Sequence, residues 1–489
     1  MSLTTRAIVA ILLMVGFYVF AIALAVGLLL VPVAEYHYFD RIELRTGVAC
    51  VVAGCVILWS MIPRRDKFQV PGPAVTEEQQ PQLLAELKTI AQRAGQEMPH
   101  EVYFIPDINA WVAQRGGVMG VGSRRVMGLG LPLMRLLTVS QFRAVVAHEF
   151  GHYYSGDTAL GPWIYQTRAS IFRTVAQLAK AKSIITILFR WYARMFMRVT
   201  LAISRAQEYA ADRIAAEIAG GKSTTEGLKQ IHFGAAAWRS YLQTEVGPLL
   251  KAGYSPPLSE GLHSFLSVAA ISKAAGQILA KELASGKAEP YDSHPALAER
   301  IAALKGFASD NKEDTRPATD LLVDYFAADT TLFLTAPGKQ LRPIRWEETL
   351  ETVYIASWRR EVEARRESIQ GSNVFQMGKD LYTWELRNRL KAPKGIWPTN
   401  DQRDLWAKSL AGSAISLTLM NDGWTIKTAP GEAIRFEKNG KIVKPFEVVA
   451  RIGKGELKHE TWEKFCAEMG IGDLPAVMDS KQASASASS

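Results

Sequence analysis

The chain has 489 residues, 48% of them hydrophobic and 21% charged, with a mean hydropathy near zero; this excludes a disordered or collagen-like chain and a single small domain. Its three cysteines, Cys50, Cys55 and Cys466, cannot build a disulfide framework or a Cys-rich zinc site. The net charge of +9 invites a nucleic-acid reading until the charge is located along the chain.

Residues 7–34 contain no charged side chain. At about 1.5 Å per helical residue they exceed a hydrocarbon core of about 30 Å, so they read as a transmembrane helix. The run passes a possible cleavage site at Ala23-Leu24-Ala25 and continues through Leu28, Leu29, Leu30 and Val31, too long for the apolar core of a cleaved leader. A second apolar stretch, 47–62, reads as the returning helix of a hairpin that occupies residues 1–70, with helices over 7–33 and 45–62. Arg6 precedes the first helix and Arg64, Arg65 and Lys67 follow the second, whereas the loop between carries Glu35, Asp40 and Glu43 against Arg41 and Arg45. The positive-inside rule then puts both ends in the cytoplasm, at the inner membrane if the cell is bacterial.

Pro71-Gly72-Pro73 opens a soluble domain over 71–310, and the spacing of Leu83, Leu84, Leu87 and Ile90 predicts its first helix. The Val-, Gly- and Met-rich stretch 102–133 predicts short strands and turns. Its Gly117, Gly120 and Gly122 fit neither the Rossmann nor the Walker spacing.

Residues 145–152 read Val-Val-Ala-His-Glu-Phe-Gly-His. On a helix His148 and His152, four apart, share one face and can converge on one metal ion, while Glu149 is offset by about 100° and can reach a water at that ion. Thr138 with Gln141 fits a capping box, and Val139, Phe142, Val145, Val146 and Phe150 supply the buried stripe. A hydrolytic zinc site needs a third protein ligand. Glu208 and Asp212, again four apart on a helix closed by Gly220-Gly221, are the candidates; one carboxylate can bind the metal while the other orients a histidine ligand.

Between these helices the interval 158–207 holds eight Lys and Arg residues and no Asp or Glu, which leaves the rest of the chain close to neutral. Arg190, Arg194 and Arg198 form a stripe amid Leu188, Phe189, Trp191 and Phe196. Three arginines are costly at a bilayer centre, at about 2.5 kcal/mol or more each, so residues 183–203 read as a helix lying on the membrane surface. The expected partner shifts from nucleic acid to anionic membrane lipid.

The H-E-F-G-H segment followed by Glu208-Tyr209-Ala210-Ala211-Asp212 resembles the HtpX-like family of integral-membrane zinc metallopeptidases, which also contains the CAAX prenyl proteases. Asn109-Ala110-Trp111, Asp157, Ser293-His294-Pro295 and Arg300-Ile301 are similar to further family segments. The resemblance implies one Zn2+ per chain held by His148, His152 and Glu208, with Glu149 as general base. It implies Asp212 and Asp157 as supports behind the ligands, and His294 facing the substrate or stabilising the transition state. Asn109, Gly120 and Gly122 are expected to contact substrate, the stretch 117–131 supplying an edge strand for an extended peptide. The family's better-known members have apolar transmembrane helices where this chain has the basic interval.

Beyond a charged linker at 310–316, residues 316–475 read as an accessory α+β domain with strand-like segments over 424–452 around Asn439-Gly440, and 476–489 as a Ser/Ala-rich tail predicted to be disordered. The expected fold is mainly α with a small β-sheet, the resemblance implying an α+β zincin-type peptidase core, behind a transmembrane helical hairpin and ahead of an α+β C-terminal region. The expected function is a membrane-anchored zinc endopeptidase acting on membrane or membrane-proximal proteins. A prenylated-protein protease and a chaperone-like module with a structural zinc are the alternatives.

Overall fold

The computed structural model describes residues 3–62, 68–116, 122–154, 161–286, 294–308, 312–333, 340–392 and 397–476. The chain divides into two compact units, Met1–Trp238 with Lys273–Ala336, and Arg239–Ser272 with Pro337–Ser489. The C-terminal tail lies outside the described residues.

The first unit begins with the expected helix pair, α1 (Leu3–Phe39) and α2 (Leu44–Met61). Both are long and apolar enough to cross a membrane, over Ile8–Phe39 and Leu44–Met61. They form an antiparallel hairpin in which Gly54 sits against Ala25 and Leu29. Helix α3 (Pro81–Arg93) follows, with Pro81 at its first turn and Leu83, Leu84, Leu87 and Ile90 buried.

A three-stranded sheet comes next: β1 (Glu101–Ile105), β2 (Ala110–Arg115) and β3 (Arg124–Gly130). Its order is β1-β3-β2, with β3 parallel to β1 and antiparallel to β2. The Gly-rich β3 is therefore the central strand, and the expectation that it forms a peptide-binding edge is overturned. Its hydrogen-bonding groups on both sides are occupied by neighbouring strands, with Tyr103 and Trp111 both in register with Gly128.

A short helix α4 (Leu131–Leu136) leads into α5 (Val139–Tyr154), which carries the two histidines. The capping box forms as the sequence indicates: Thr138 N donates to Gln141 Oε1 and Gln141 N to Thr138 Oγ1, at 3.1 and 3.3 Å. Val139, Phe142, Val146 and Phe150 are fully buried beneath it. The next helices are α6 (Gly161–Lys180), α7 (Thr186–Ala219) and α8 (Gly221–Tyr241).

The first half of α7, whose basic stripe read as a membrane-surface helix, is packed on other helices along its apolar face. It stands beside the hairpin, because Phe189, Tyr192 and Phe196 recur on one helical face and bury against Phe17 and Ala21 of α1, with Ile171 and Leu178 of α6 completing the cluster against Ile57 and Met61 of α2. Tyr192 also donates to Leu13 O at 2.5 Å, which fixes the register of α7 on α1.

The second unit is mainly helical around Trp358, Leu410, Ile415 and Trp462. Its longest helix, Asn400–Asn421, starts at a Thr399/Gln402 capping box. Strands Thr425–Lys427, Arg435–Lys438 and Lys441–Val443 form an antiparallel sheet turned at Asn439-Gly440, both of positive φ, as the hairpin signal predicts. The strand-like reading fails after Val443. Pro445 opens a helix, Pro445–Gly453, whose buried Val448, Val449 and Ile452 follow helical rather than alternating spacing.

Candidate metal centre

Two helices build the centre, and a glycine brings them together. A Cβ on Gly151 of α5 would lie 2.9 Å from Ala211 Cα of α7, closer than real Cβ atoms come, so only glycine permits this approach. The fully buried Ala211 and Ala215 continue the close face. At this spacing Glu208 of α7 stands opposite the histidine face of α5. His148 Nε2 and His152 Nε2 are 3.1 Å apart, and the Glu208 carboxylate lies 3.6 Å from the first and 3.7 Å from the second. One ligand atom from each of the three residues falls within 4.8 Å of the others.

Behind the histidines runs a buried ionic relay. Asp212 Oδ1 lies 2.9 Å from His148 Nδ1, and Arg300, from the helix Leu297–Ala303, closes on Asp212 with two bonds of 2.6 and 2.8 Å. Burial alone would raise the Asp212 carboxyl, but the hydrogen bonds from Arg300 and His148 outweigh it and hold the group at about 2. An ionised Asp212 fixes the Nδ1 proton of His148, so that its Nε2 lone pair faces Glu208 and His152.

The three residues fit a divalent cation. Glu208 Oε2 is buried and has no hydrogen-bond partner among the described residues; the nearest positive or ring nitrogens are Arg300 Nη1 at 3.5 Å and His148 Nε2 at 3.6 Å. Two imidazoles and one carboxylate are a zinc donor set with room for a fourth ligand. The Glu208 carboxyl is held low: burial opposes its charge, but the hydrogen bond from His294 and the charges of His148 and Arg300 prevail.

Glu149 and His152 are shifted in opposite directions. Burial pushes the Glu149 carboxyl up to about 7, against a weaker lowering pull from His148. Burial, followed by the charge of His148, brings the His152 imidazole down to about 4, the neutral form a metal ligand needs.

A cavity of about 260 Å³ opens over these groups. His148, Glu149, Glu208, Asp212, His294 and Arg300 line its polar side; Ile108, Ala110, Ala144, Val145, Leu228 and Ile231 line its apolar wall. Of the remaining sequence candidates, Asn109 lies on the cavity wall and His294 stands at its mouth, largely exposed, with Nδ1 2.9 Å from Glu208 Oε1. Gly122 lies in the exposed turn before β3 at φ +72°, away from the cavity lining. Gly120 and Asp157 fall outside the described residues.

Sequence reading missed two contributors. Arg300 belonged to a quoted segment but was given no role, and the α8 wall of Thr224, Leu228, Ile231 and His232 was not anticipated at all. The sequence carried no signal for the role of Arg300: its burial, which demands a carboxylate partner, is set by the fold.

Residues 77–308 match the model for peptidase family M48. A curated relative, described as a Protease HtpX homolog from Thermodesulfovibrio yellowstonii, is 26% identical over 256 residues, which covers 48% of this chain and 78% of that protein. No solved structure matches the chain.

Proposed function

We propose, from the match of residues 77–308 to peptidase family M48 and the likeness to an HtpX homolog, that this chain is a metallopeptidase of the HtpX-like kind, a membrane-anchored zinc endopeptidase that cleaves membrane or membrane-proximal proteins on the cytoplasmic side. The convergence of His148, His152 and Glu208 within 4.8 Å, with Glu149 beside them in the same cavity, carries this reading.

His148 and His152 would hold the ion through their imidazoles and Glu208 through its carboxylate. Zinc, when bound, polarises the attacking water and the scissile carbonyl. The Glu149 carboxylate would act as general base toward the attacking water and pass the proton on to the leaving amine nitrogen. Asp212 keeps the proton on His148 Nδ1, and Arg300 keeps Asp212 charged and in place. His294 and Asn109 meet the substrate at the mouth and wall of the cavity, and the apolar wall excludes bulk water from the scissile bond.

The hairpin supplies the anchor, and the basic residues on its two outer flanks favour a cytoplasm-facing domain. The test is cleavage of an unfolded protein by the full chain in detergent, alongside metal analysis. Zinc-loaded chain that cleaves, and stops when a chelator is added, supports the proposal. Zinc-loaded chain that leaves varied unfolded substrates intact contradicts it.

A further inference from the structure

Helices α6 and α7 carry charge that the metal centre does not use. Arg168 and Arg173 are engaged inside the helix cluster, the first donating to Thr200 Oγ1 and the second to Ser60 O and Ser170 Oγ. Lys180, Lys182, Arg190, Arg194 and Arg198 are exposed and make no hydrogen bond or ion pair with any described residue. Exposed Ile184, Ile187, Leu188 and Trp191 lie among them. A solvated helix face has no use for four large apolar side chains between unpaired cations.

The contacts fix where this face stands along the hairpin. Gly54 of α2 packs against Ala25 and Leu29 of α1, so the last residue of α2, Met61, is level with roughly residue 20 of α1 in an antiparallel pair of equal rise. Arg173 of α6 reaches Ser60 O at that same end of α2. The rings of Phe189 and Tyr192 pack on Phe17 and Phe20 of α1. The start of α7 therefore flanks the end at which α2 finishes and Arg64, Arg65 and Lys67 follow in sequence. The side of α1 at this level is also apolar and exposed, through Leu12, Val15 and Val19, and Trp59 is exposed on α2.

The geometry points to residues 184–198 as a binding surface for anionic phospholipid headgroups. Ile187, Leu188 and Trp191 enter the leaflet beside the hairpin. Arg190, Arg194 and Arg198, four residues apart on one face, extend to headgroup phosphates, their stems lying along apolar surface. Eight basic and no acidic residues over 158–207 complement an anionic leaflet, and the apolar residues between them fit acyl chains rather than a polynucleotide. Helix α7 is unbroken from Thr186 to Ala219, so the lipid-bound turns and the turn bearing Glu208 belong to one rod. This inference rests on the membrane-anchored reading above.

The test uses the full chain in phosphatidylcholine nanodiscs with and without phosphatidylglycerol. In a background with Cys50, Cys55 and Cys466 changed to Ala, a fluorophore on Ile187→Cys is quenched by brominated acyl chains, and one on Glu217→Cys is not. After extraction into detergent, native mass spectrometry finds phosphatidylglycerol retained in preference to phosphatidylcholine. The variant carrying Arg190→Gln, Arg194→Gln and Arg198→Gln loses that preference by about five-fold per arginine, with its zinc content unchanged as a check on folding. Absence of quenching at position 187 in a chain that resists carbonate extraction overturns the lipid site while leaving the anchor intact. So does undiminished phosphatidylglycerol retention by the triple variant, or salt-sensitive duplex DNA binding that the triple variant loses. Carbonate extraction of the wild-type chain overturns the anchored reading and the lipid site together.

Discussion

Arg300 grips Asp212 through two hydrogen bonds of 2.6 and 2.8 Å, and the pair is almost wholly buried behind His148. The salt bridge stands between the ligand helix and the helix Leu297–Ala303, 88 residues further on. Its consequence is a histidine with one permitted tautomer.

Removing the arginine therefore acts on the metal through two intermediates. Arg300→Gln leaves Asp212 buried without its counter-ion, at a cost of about 3–5 kcal/mol in stability. Zinc affinity falls by about 10–100-fold, the usual loss when the partner behind a histidine ligand is removed. Competition with a chromogenic chelator measures the affinity. Wild-type affinity in Arg300→Gln would show that Asp212 and His148 need no such support.

Gly151→Ala places a methyl group against Ala211 Cα at 2.9 Å, with Ala211 Cβ and O at 3.2 and 3.3 Å, and none of these atoms can rotate away. The helices must part, at a cost of about 1–3 kcal/mol, which draws Glu208 away from the histidines. The expected result is a lower Tm and weaker zinc binding together. A loss of Tm with zinc affinity unchanged would separate helix spacing from ligand geometry.

Stability of the metal-free chain carries a pH signature from Glu149. Its carboxyl is pushed up to about 7 from an ordinary 4.5. Between those values the native state keeps a proton that the unfolded chain releases, so this group's contribution to stability falls as pH rises, by about 3 kcal/mol across the window. Glu149→Gln abolishes the fall. His152, lowered to about 4 from 6.5, acts in the opposite sense, because the unfolded chain then binds the extra proton and stability rises with pH between those values. That rise is common to both proteins and cancels in their difference. The Tm of Glu149→Gln minus that of the wild type should grow steadily from pH 4.5 to pH 7; a constant difference would place Glu149 in a solvated setting.

Zinc binding to the native chain but not to the unfolded one raises stability by about 4 kcal/mol when free zinc is a thousand times its dissociation constant. Thermal unfolding of the wild type should shift upward on addition of zinc and return on chelation. His152→Ala should not respond. An equal shift in that variant would move the zinc to other ligands.

What the sequence displayed and what it concealed divide by range of interaction. His148, Glu149 and His152 were readable because their geometry is set within one helical turn, and the Thr138/Gln141 cap announced the helix itself. The hairpin was readable because its apolar runs match a bilayer in length. The place of β3 was hidden, since parallel pairing of Tyr103 with Gly128 leaves no mark in either segment. The standing of α7 beside α1 was hidden for the same reason: Phe189 and Tyr192 suit an acyl layer as well as they suit Phe17 and Phe20, more than 160 residues away. Arg300 was legible as a residue and illegible as a partner, because only the fold brings it to Asp212.

The most direct test of the central claim compares wild type with Glu149→Gln, each purified in detergent, for zinc content and for cleavage of an unfolded protein. His148, His152 and Glu208 remain in the variant, so both should carry one zinc per chain, while cleavage should fall by at least about 100-fold when the general base is lost. Wild-type cleavage by zinc-loaded Glu149→Gln would contradict the account.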